Sequence, residues 1–298
     1  MKIAILLTGN LRSFDFTKNI QKKLLDTYDT HYFLSIDVDN SLQREYYNSI
    51  ISTDTNMVEK AINFFNPKKF IVINDFEDKF INNKNKFDKE ITINKRENIS
   101  YYKRPLRQYY CVKNAYKLLI DYITETNTAF DIIVRLRFDQ YIWDDNTANV
   151  LPQLIENKCG IVYENERYCK TQNEDNNITT NHILDNKKIS FSECFDNYIY
   201  LFGSGIYHNN NTNKKHEVTQ NFYANDQFWY HNTSLIHKMY NFYDEIVDLI
   251  IYRFKNNIFI YNTSTENLFY NFLINNNINI GKSNIKGLFV REHSKFTK

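Results

Sequence analysis

The sequence predicts an α/β protein with a mostly parallel central sheet flanked by helices. Short apolar runs alternate with longer segments of helical spacing through the first half, which is typical of parallel strands joined by right-handed crossovers. The 298 residues are 42% hydrophobic, which is sufficient for one large core. No Gly-, Pro- or Ser-rich linker divides the chain. We therefore expect a single domain, residues 1–298, in which residues 146–298 are more irregular than residues 1–145.

The elements of the first half follow from this periodicity. Residues 77–98 are polar and rich in Lys and Asn, so they predict a surface loop or a short exposed helix. The predicted strands cover residues 2–7, 31–36, 69–73 and 131–139, and the predicted helices cover residues 15–28, 58–65 and 108–122.

The second half carries fewer elements, separated by polar segments. Residues 164–188 and 209–215 contain few apolar side chains, so they predict mobile surface excursions. The predicted strands cover residues 198–207, 278–280 and 287–290, and the predicted helices cover residues 235–254 and 267–273.

Composition excludes several classes of protein. A net charge of only +2 argues against a general nucleic-acid binder. The four cysteines lack the spacing of a zinc site, and so few in a chain of this length indicate a reducing compartment. The opening apolar run stops at Thr8, which favours a strand over a signal peptide, and no run reaches the roughly 18 residues of a membrane span. We expect a cytoplasmic protein.

The strongest functional signal is the end of the fourth predicted strand. Arg135, Arg137 and Asp139 follow directly on an apolar run. The carboxyl edge of a parallel sheet is where ligands bind, and the planar fork of arginine suits phosphate. The carboxylate suits a divalent cation or a sugar hydroxyl. A structural ion pair at the strand end remains an equal alternative.

Two earlier strands end in residues that suit the same ligand. Gly9, after Thr8, allows close approach of a ligand to the backbone, and Arg12 suits a phosphate. Asp37 follows the second strand, in the position of an acid that holds a ribose, although an acid there also starts ordinary turns.

The helix before the fourth strand begins with a cationic stretch that includes Arg107 and Gln108. Such a stretch is typical of a solvated face, but its place beside the predicted site makes phosphate contact an equal alternative.

Three residues of the second half are further candidates. Asp226 precedes an aromatic run that suits a sugar, or forms a turn before a core strand. Glu266 lies in the first turn of a predicted helix, where capping alone accounts for it, or acts as a catalytic base. His293 is a candidate metal ligand or an ordinary surface histidine.

In their order, these motifs resemble those of GT-A-fold glycosyltransferases found in bacterial surface-polysaccharide loci and large DNA viruses. Such proteins open with a strand ending Ser/Thr-Gly-x-x-Arg, as at Thr8 to Arg12, and carry an Arg-x-Arg-x-Asp strand end, as at Arg135 to Asp139. A later Asp-Gln/Arg-Phe element and a Glu-led helix correspond to Asp226 and Glu266.

The resemblance implies a nucleotide diphosphate sugar donor on residues 1–145 and a glycan or glycoprotein acceptor on residues 146–298. It puts Asp139 in the place of the metal-binding Asp-x-Asp, which implies Mn²⁺ or Mg²⁺ as the cofactor. The first acid of that pair is Arg137 here, so metal-independent transfer is open. Asp226 and Glu266 are then the alternatives for the catalytic base, and an anomer-retaining reaction would need none.

Two other functions compete with this one. A non-catalytic nucleotide- or carbohydrate-binding module is favoured by the missing acid at Arg137. A nucleotidyltransferase should show a Gly-rich, Lys-containing phosphate loop near the first strand, and none is present. Hydrolase and kinase motifs are also absent from the sequence.

Overall fold

The computed structural model describes ten stretches of the chain, which together contain six α-helices and thirteen strands. They are residues 1–11, 14–38, 55–90, 102–144, 162–164, 167–169, 189–201, 206–208, 222–256 and 265–290. The helices are α1 (Phe14–Leu25), α2 (Thr55–Phe65), α3 (Phe76–Glu90), α4 (Lys103–Thr126), α5 (Ile236–Lys255) and α6 (Thr265–Asn275).

Seven of the strands form the central sheet. They are β1 (Lys2–Asn10), β2 (Asp29–Asp37), β3 (Lys69–Ile73), β4 (Ile132–Arg137), β8 (Tyr198–Leu201), β11 (Trp229–His231) and β12 (Asn279–Lys282). The other six are β5 (Gln140–Trp143), β6 (Val162–Glu164), β7 (Arg167–Cys169), β9 (Ile206–His208), β10 (Phe222–Ala224) and β13 (Lys286–Val290).

The central sheet is mostly parallel, as the sequence predicted. Its order is β12-β8-β11-β4-β1-β2-β3. β1 pairs in parallel with β2 and β4, and β3 extends the parallel half beyond β2. Only β11 runs against its neighbours, β4 and β8. Two smaller sheets, β5-β13-β6-β7 and β10-β9, complete the strands that the structure describes.

Helices cover both faces of the sheet because successive strand residues point to opposite sides. Ala4 and Leu6 of β1 face the layer formed by α3, α4, α5 and α6. Ile3, Ile5 and Leu7 face α1 and α2. The helix α4 lies across β1, β2 and β3, so its first turns stand over the carboxyl ends of these strands.

The helix α3 differs from the prediction. A surface loop or short exposed helix was expected over residues 77–98, but a 15-residue helix runs to Glu90. Phe76, Phe80 and Phe87 recur at helical spacing and are buried, and the Phe76 ring lies 5.8 Å from that of Tyr110 on α4. The polar residues between these three phenylalanines conceal this apolar face when only composition is considered.

The second half also departs from its predicted boundaries. The single strand expected over residues 198–207 is divided, since β8 ends at Leu201 and β9 begins at Ile206. The excursion predicted over residues 164–188 includes β7, and most of it, like residues 209–215, lies outside the described residues. No helix in the described part of the chain is both long and apolar enough to cross a membrane.

Candidate functional site

The carboxyl ends of three parallel strands bring the predicted residues together. Thr8 on β1 lies opposite Arg137 on β4, and Asn10 lies opposite Asp37 on β2. β2 and β3 extend the sheet to one side of β1, whereas β4 begins the other side. The carboxyl ends of the neighbouring strands β1 and β4 therefore form a topological switch point, where open α/β sheets bind their ligands.

Gly9 gives the end of β1 an unusual backbone. Its φ of 106° lies in a region that residues with a side chain rarely adopt. A Cβ atom built on Gly9 would meet nothing within 4 Å. Conformation rather than crowding therefore requires glycine here, and the space beside the strand end is open.

Arg137 and Asp139 form a bidentate ion pair across the turn after β4. Arg137 Nε donates to Asp139 Oδ1 at 2.8 Å, and Arg137 Nη2 donates to Asp139 Oδ2 at 2.8 Å. Burial lowers the pKa of Arg137, but the Asp139 charge outweighs it and leaves that pKa raised. Only 1% of Asp139 is exposed, so this carboxylate is buried although it follows directly on the strand end.

The helix α1 holds the turn that carries Asp139. Gln21 Nε2 donates to the carbonyl oxygens of Arg137 at 2.9 Å and Gln140 at 2.7 Å. Thr17 Oγ1 donates to the carbonyl oxygen of Phe138 in the same turn. The position of the ion pair is therefore fixed from a helix more than 110 residues away in sequence.

Arg135 lies deeper in the same face of the sheet. Its Nε donates to Thr8 Oγ1 at 3.1 Å, and its Nη1 donates to the carbonyl oxygens of Asp226 at 2.6 Å and Gln227 at 2.8 Å. The guanidinium carbon lies 4.6 Å from the centre of the Trp229 ring. Burial lowers the pKa of Arg135 to about 10. These contacts hold the turn before β11 against the strand ends, and contact between Arg135 and a donor stays a prediction.

Gln108 connects the ion pair of Arg137 and Asp139 to the carboxyl group of Asp226. Its Oε1 accepts from Arg137 Nη1 at 3.4 Å, and its Nε2 donates to Asp226 Oδ2 at 3.0 Å. One amide of α4 thus joins β4 to the turn before β11.

Asp226 is a buried carboxyl group with an altered pKa. Burial, followed by the nearby negative charge of Glu266, raises the pKa of Asp226 to about 6, and the cation of Arg135 opposes this shift. The Tyr109 hydroxyl lies 3.1 Å from Asp226 Oδ2 and 2.5 Å from the carbonyl oxygen of Thr265. The Tyr109 hydroxyl is the donor toward both oxygens, and its single proton is shared between them.

Glu266 stands beside this carboxyl in the first turn of α6 and is partly exposed. Its Oε2 accepts from Thr265 Oγ1 at 3.1 Å. The amino end of a helix favours a negative charge at this position. A buried carboxyl with a pKa of about 6 therefore adjoins a carboxylate that solvent can reach.

Arg107 and Asp37 form a buried ion pair between α4 and β2. Arg107 is only 4% exposed, so the alternative of a solvated face is wrong for this residue. The Asp37 carbonyl oxygen also accepts from Asn10 Nδ2 at 3.3 Å, which ties the ends of β1 and β2 together.

The described residues do not fit a divalent cation at Asp139. Both carboxylate oxygens of Asp139 accept hydrogen bonds from the Arg137 guanidinium. Within the described stretches, no group of three or more His, Cys, Asp or Glu side chains is arranged to hold a metal ion. Arg12 and His293 lie outside these stretches, so both assignments stay predictions.

Sequence reasoning missed Tyr109 and Thr265. The chain contains 23 tyrosines, so a tyrosine within an amphipathic helix predicts only core packing. Its place next to Gln108, in a helix whose start carries arginines, was the available signal. The backbone carbonyl of Thr265 accepts a hydrogen bond from Tyr109, and a contact of a backbone group cannot be predicted from the pattern of side chains.

The exposed and buried members of the site divide its work. Arg137, Gln108 and Glu266 are partly exposed, whereas Arg135, Asp139 and Asp226 are buried behind them. The partly exposed residues can contact a ligand: the Arg137 guanidinium suits an anion, and the Glu266 carboxyl group suits a proton. The buried residues hold these side chains in position.

Comparison with known proteins adds no relationship: no family model matches the chain, and neither does any curated protein. The fold and site define an α/β protein with a mostly parallel, Rossmann-like sheet and a polar cluster at its β1/β4 switch point.

Proposed function

We propose that this chain is a glycosyltransferase that moves a sugar from a nucleotide diphosphate sugar to a hydroxyl of a glycan or glycoprotein. One observation carries the proposal. Gln108 joins Arg137, which suits an anion, to Asp226, and Asp226 adjoins Glu266, which suits a proton. The mostly parallel sheet is compatible with a GT-A-like organisation.

On the donor side, the nucleotide lies over the ends of β1 and β2, with Gly9 allowing close approach and Asp37 near the ribose. Arg137 is partly exposed and faces the same edge, so it neutralises the diphosphate as the sugar leaves. Asp139 holds the Arg137 guanidinium in position through its two hydrogen bonds.

On the acceptor side, Glu266 takes the proton of the attacking hydroxyl. The acceptor oxygen then forms its bond to the anomeric carbon, and the bond from that carbon to the diphosphate oxygen breaks with its electron pair leaving on the nucleoside diphosphate. Glu266 suits this role because it is partly exposed at the amino end of α6, a position that favours a negative charge. Asp226 is buried and bonds Gln108 and Tyr109, so it positions the site.

A non-catalytic binding module on the same fold is the second candidate. The specific observation in its favour is that Asp139, the residue expected to be catalytic, is closed in a bidentate pair with Arg137. With Asp139 held in this pair, the site could still bind a ligand, but Asp139 could not act as a catalytic residue.

The test is turnover by the purified chain with a panel of nucleotide diphosphate sugars and mixed glycan acceptors, in excess chelator, read as nucleoside diphosphate release. We expect wild-type activity without added metal and a loss of roughly 100- to 10,000-fold in Glu266→Gln. Glu59→Gln, an exposed acid on α2 across the sheet, is the matched control.

The outcomes separate the two candidates. Donor binding without turnover by the wild type supports the binding module. A wild type that neither binds nor turns over any donor overturns both. Turnover that Glu266→Gln leaves unchanged removes the base and calls for analysis of the product anomer.

A further inference from the structure

The apolar stripe of α5 ends in a buried arginine. Phe242, Ile246 and Ile250 lie on the face of α5 that packs in the core, and Arg253 continues that face by one further turn. The Arg253 residue is only 7% exposed. An arginine at the end of a core stripe is costly to bury unless an anion compensates its charge.

No carboxylate in the described part of the chain compensates Arg253. With the described residues it makes one hydrogen bond, from Nη1 to Asn267 Oδ1, at a long 3.4 Å. Residues 257–264, which connect α5 to α6, contain neither Asp nor Glu. Burial lowers the pKa of Arg253, but a guanidinium starts so far above neutrality that it stays charged. Among the residues that the structure describes, the cation therefore has no acidic partner.

Arg253 lies close to the candidate functional site. Its hydrogen-bond partner Asn267 is the next residue of α6 after Glu266. The Tyr102 side chain, directly before the first residue of α4, also lies near Arg253. The arginine thus lies among the ends of α4, α5 and α6 that border the proposed acceptor side.

We propose that Arg253 and Asn267 form a binding subsite for the carboxylate of an acidic sugar. This rests on the proposed function in one respect only, that the sugar bound there is the acceptor. The guanidinium fork pairs with both oxygens of a carboxylate, and the Asn267 amide stands beside it. One cation matches a monoanion, whereas a phosphate monoester carries nearly twice the charge and calls for a second cation.

The first test measures binding, which does not depend on turnover. The full chain is titrated with D-glucuronate, glucose and glucose 6-phosphate by calorimetry. We expect D-glucuronate to bind best and Arg253→Met to weaken it roughly 10- to 100-fold, the range of a charge-assisted contact. Lys255→Met removes an exposed cation from the same helical turn and should change nothing.

A second measurement separates a ligand role from a structural one. Without any sugar, Arg253→Met should melt no lower than the wild type, because it removes a buried cation that has no acidic partner in the described part of the chain. Arg253→Lys keeps the charge but not the fork, and should bind D-glucuronate more weakly than the wild type. A lowered melting temperature in Arg253→Met, equal affinity for glucose and D-glucuronate, or preference for glucose 6-phosphate would overturn the proposal.

The same variants distinguish this proposal from the proposed function. If Arg253→Met loses D-glucuronate binding while the wild type shows no turnover with any donor, the subsite stands and the transferase proposal fails. If the wild type transfers sugar but Arg253→Met binds D-glucuronate unchanged, the transferase stands and the subsite fails.

Discussion

At the residue scale, the two arginines of β4 differ in their burial and in their hydrogen-bond partners. Arg135 is buried, bonds the carbonyl oxygens before β11 and stacks on Trp229. Arg137 is partly exposed and pairs with Asp139. A buried charge is strongly destabilising when its partner is removed, so Asp139 depends on Arg137 for its burial.

We therefore predict that Arg137→Met lowers the free energy of unfolding by about 3–5 kcal/mol, measured by urea denaturation, because Asp139 loses its two hydrogen bonds. The double variant Arg137→Met/Asp139→Leu should recover most of this loss. Lys18→Met, which removes the exposed partner of Asp15, should cost less than about 1 kcal/mol. A loss below that level for Arg137→Met would show that the pair is not what keeps Asp139 buried.

A buried histidine provides a prediction about pH. The Tyr116 hydroxyl donates to His231 Nε2 at 2.6 Å, because His231 Nδ1 donates to the Asn232 carbonyl oxygen at 2.5 Å. Trp229 Nε1 completes the chain by donating to the Tyr116 hydroxyl at 3.0 Å. Burial lowers the pKa of His231 to about 4. The folded state thus holds this histidine neutral.

We predict that His231 makes unfolding easier as the pH falls from about 6.5 to about 4, by about 3 kcal/mol in total. In that range the unfolded chain binds a proton at this residue and the folded chain does not. Asp226, whose pKa is raised to about 6, contributes with the opposite sign, so the test compares variants. The pH dependence of the unfolding free energy should flatten in His231→Gln and not in exposed His237→Gln. Parallel profiles would contradict the assignment.

At this scale the sequence identified the polar strand ends but not their pairing. Arg137 and Asp139 are two residues apart, and only the turn held by Gln21 folds one back on the other. Asp226 was predicted beside an aromatic run that suits a sugar and as an alternative catalytic base. Its pKa is raised by burial and then by Glu266, 40 positions later in the chain. Such contacts are set by tertiary packing, which side-chain patterns do not report.

At the scale of elements, β12 depends on one glycine. Gly281 lies opposite Tyr200 on β8, and a Cβ built on Gly281 would come within 2.6 Å of the Tyr200 ring. That ring cannot easily move, because it is stacked on Tyr230 with 4.9 Å between the ring centres. The close approach of ring and backbone requires glycine.

We predict that Gly281→Ala lowers the free energy of unfolding by about 1–3 kcal/mol, the usual cost of overpacking. Tyr200→Ala removes the ring, so the same glycine substitution in that background should cost much less. The check is a double-mutant cycle in urea. Equal costs in the two backgrounds would show that the ring is not the obstacle.

The sequence predicted most helices and long strands at this scale because each has a clear period. α3 was underestimated because three phenylalanines are spread through a polar segment. The strand β11 has only three residues, too few for a period to be visible. Its partners, β4 and β8, are chosen by packing rather than by local preference.

At the scale of the whole molecule, the parallel half of the sheet follows from the alternation of strands and helices. The antiparallel insertion of β11 between β4 and β8 does not follow from it. That insertion sets Trp229 opposite Arg135 and so brings Asp226, three residues before it, to the strand ends. The ends of the parallel strands could therefore be predicted from the sequence, whereas the position of Asp226 beside them becomes visible only in the fold.

The central claim is that a nucleotide diphosphate sugar binds at the β1/β4 switch point. The most direct test is a crystal structure of the full chain soaked with UDP or GDP, with and without manganese. We expect the diphosphate beside Gly9 and Arg137, the ribose near Asp37, and the same position without manganese. A nucleotide bound away from the ends of β1, β2 and β4, or none at millimolar concentration, would contradict the account.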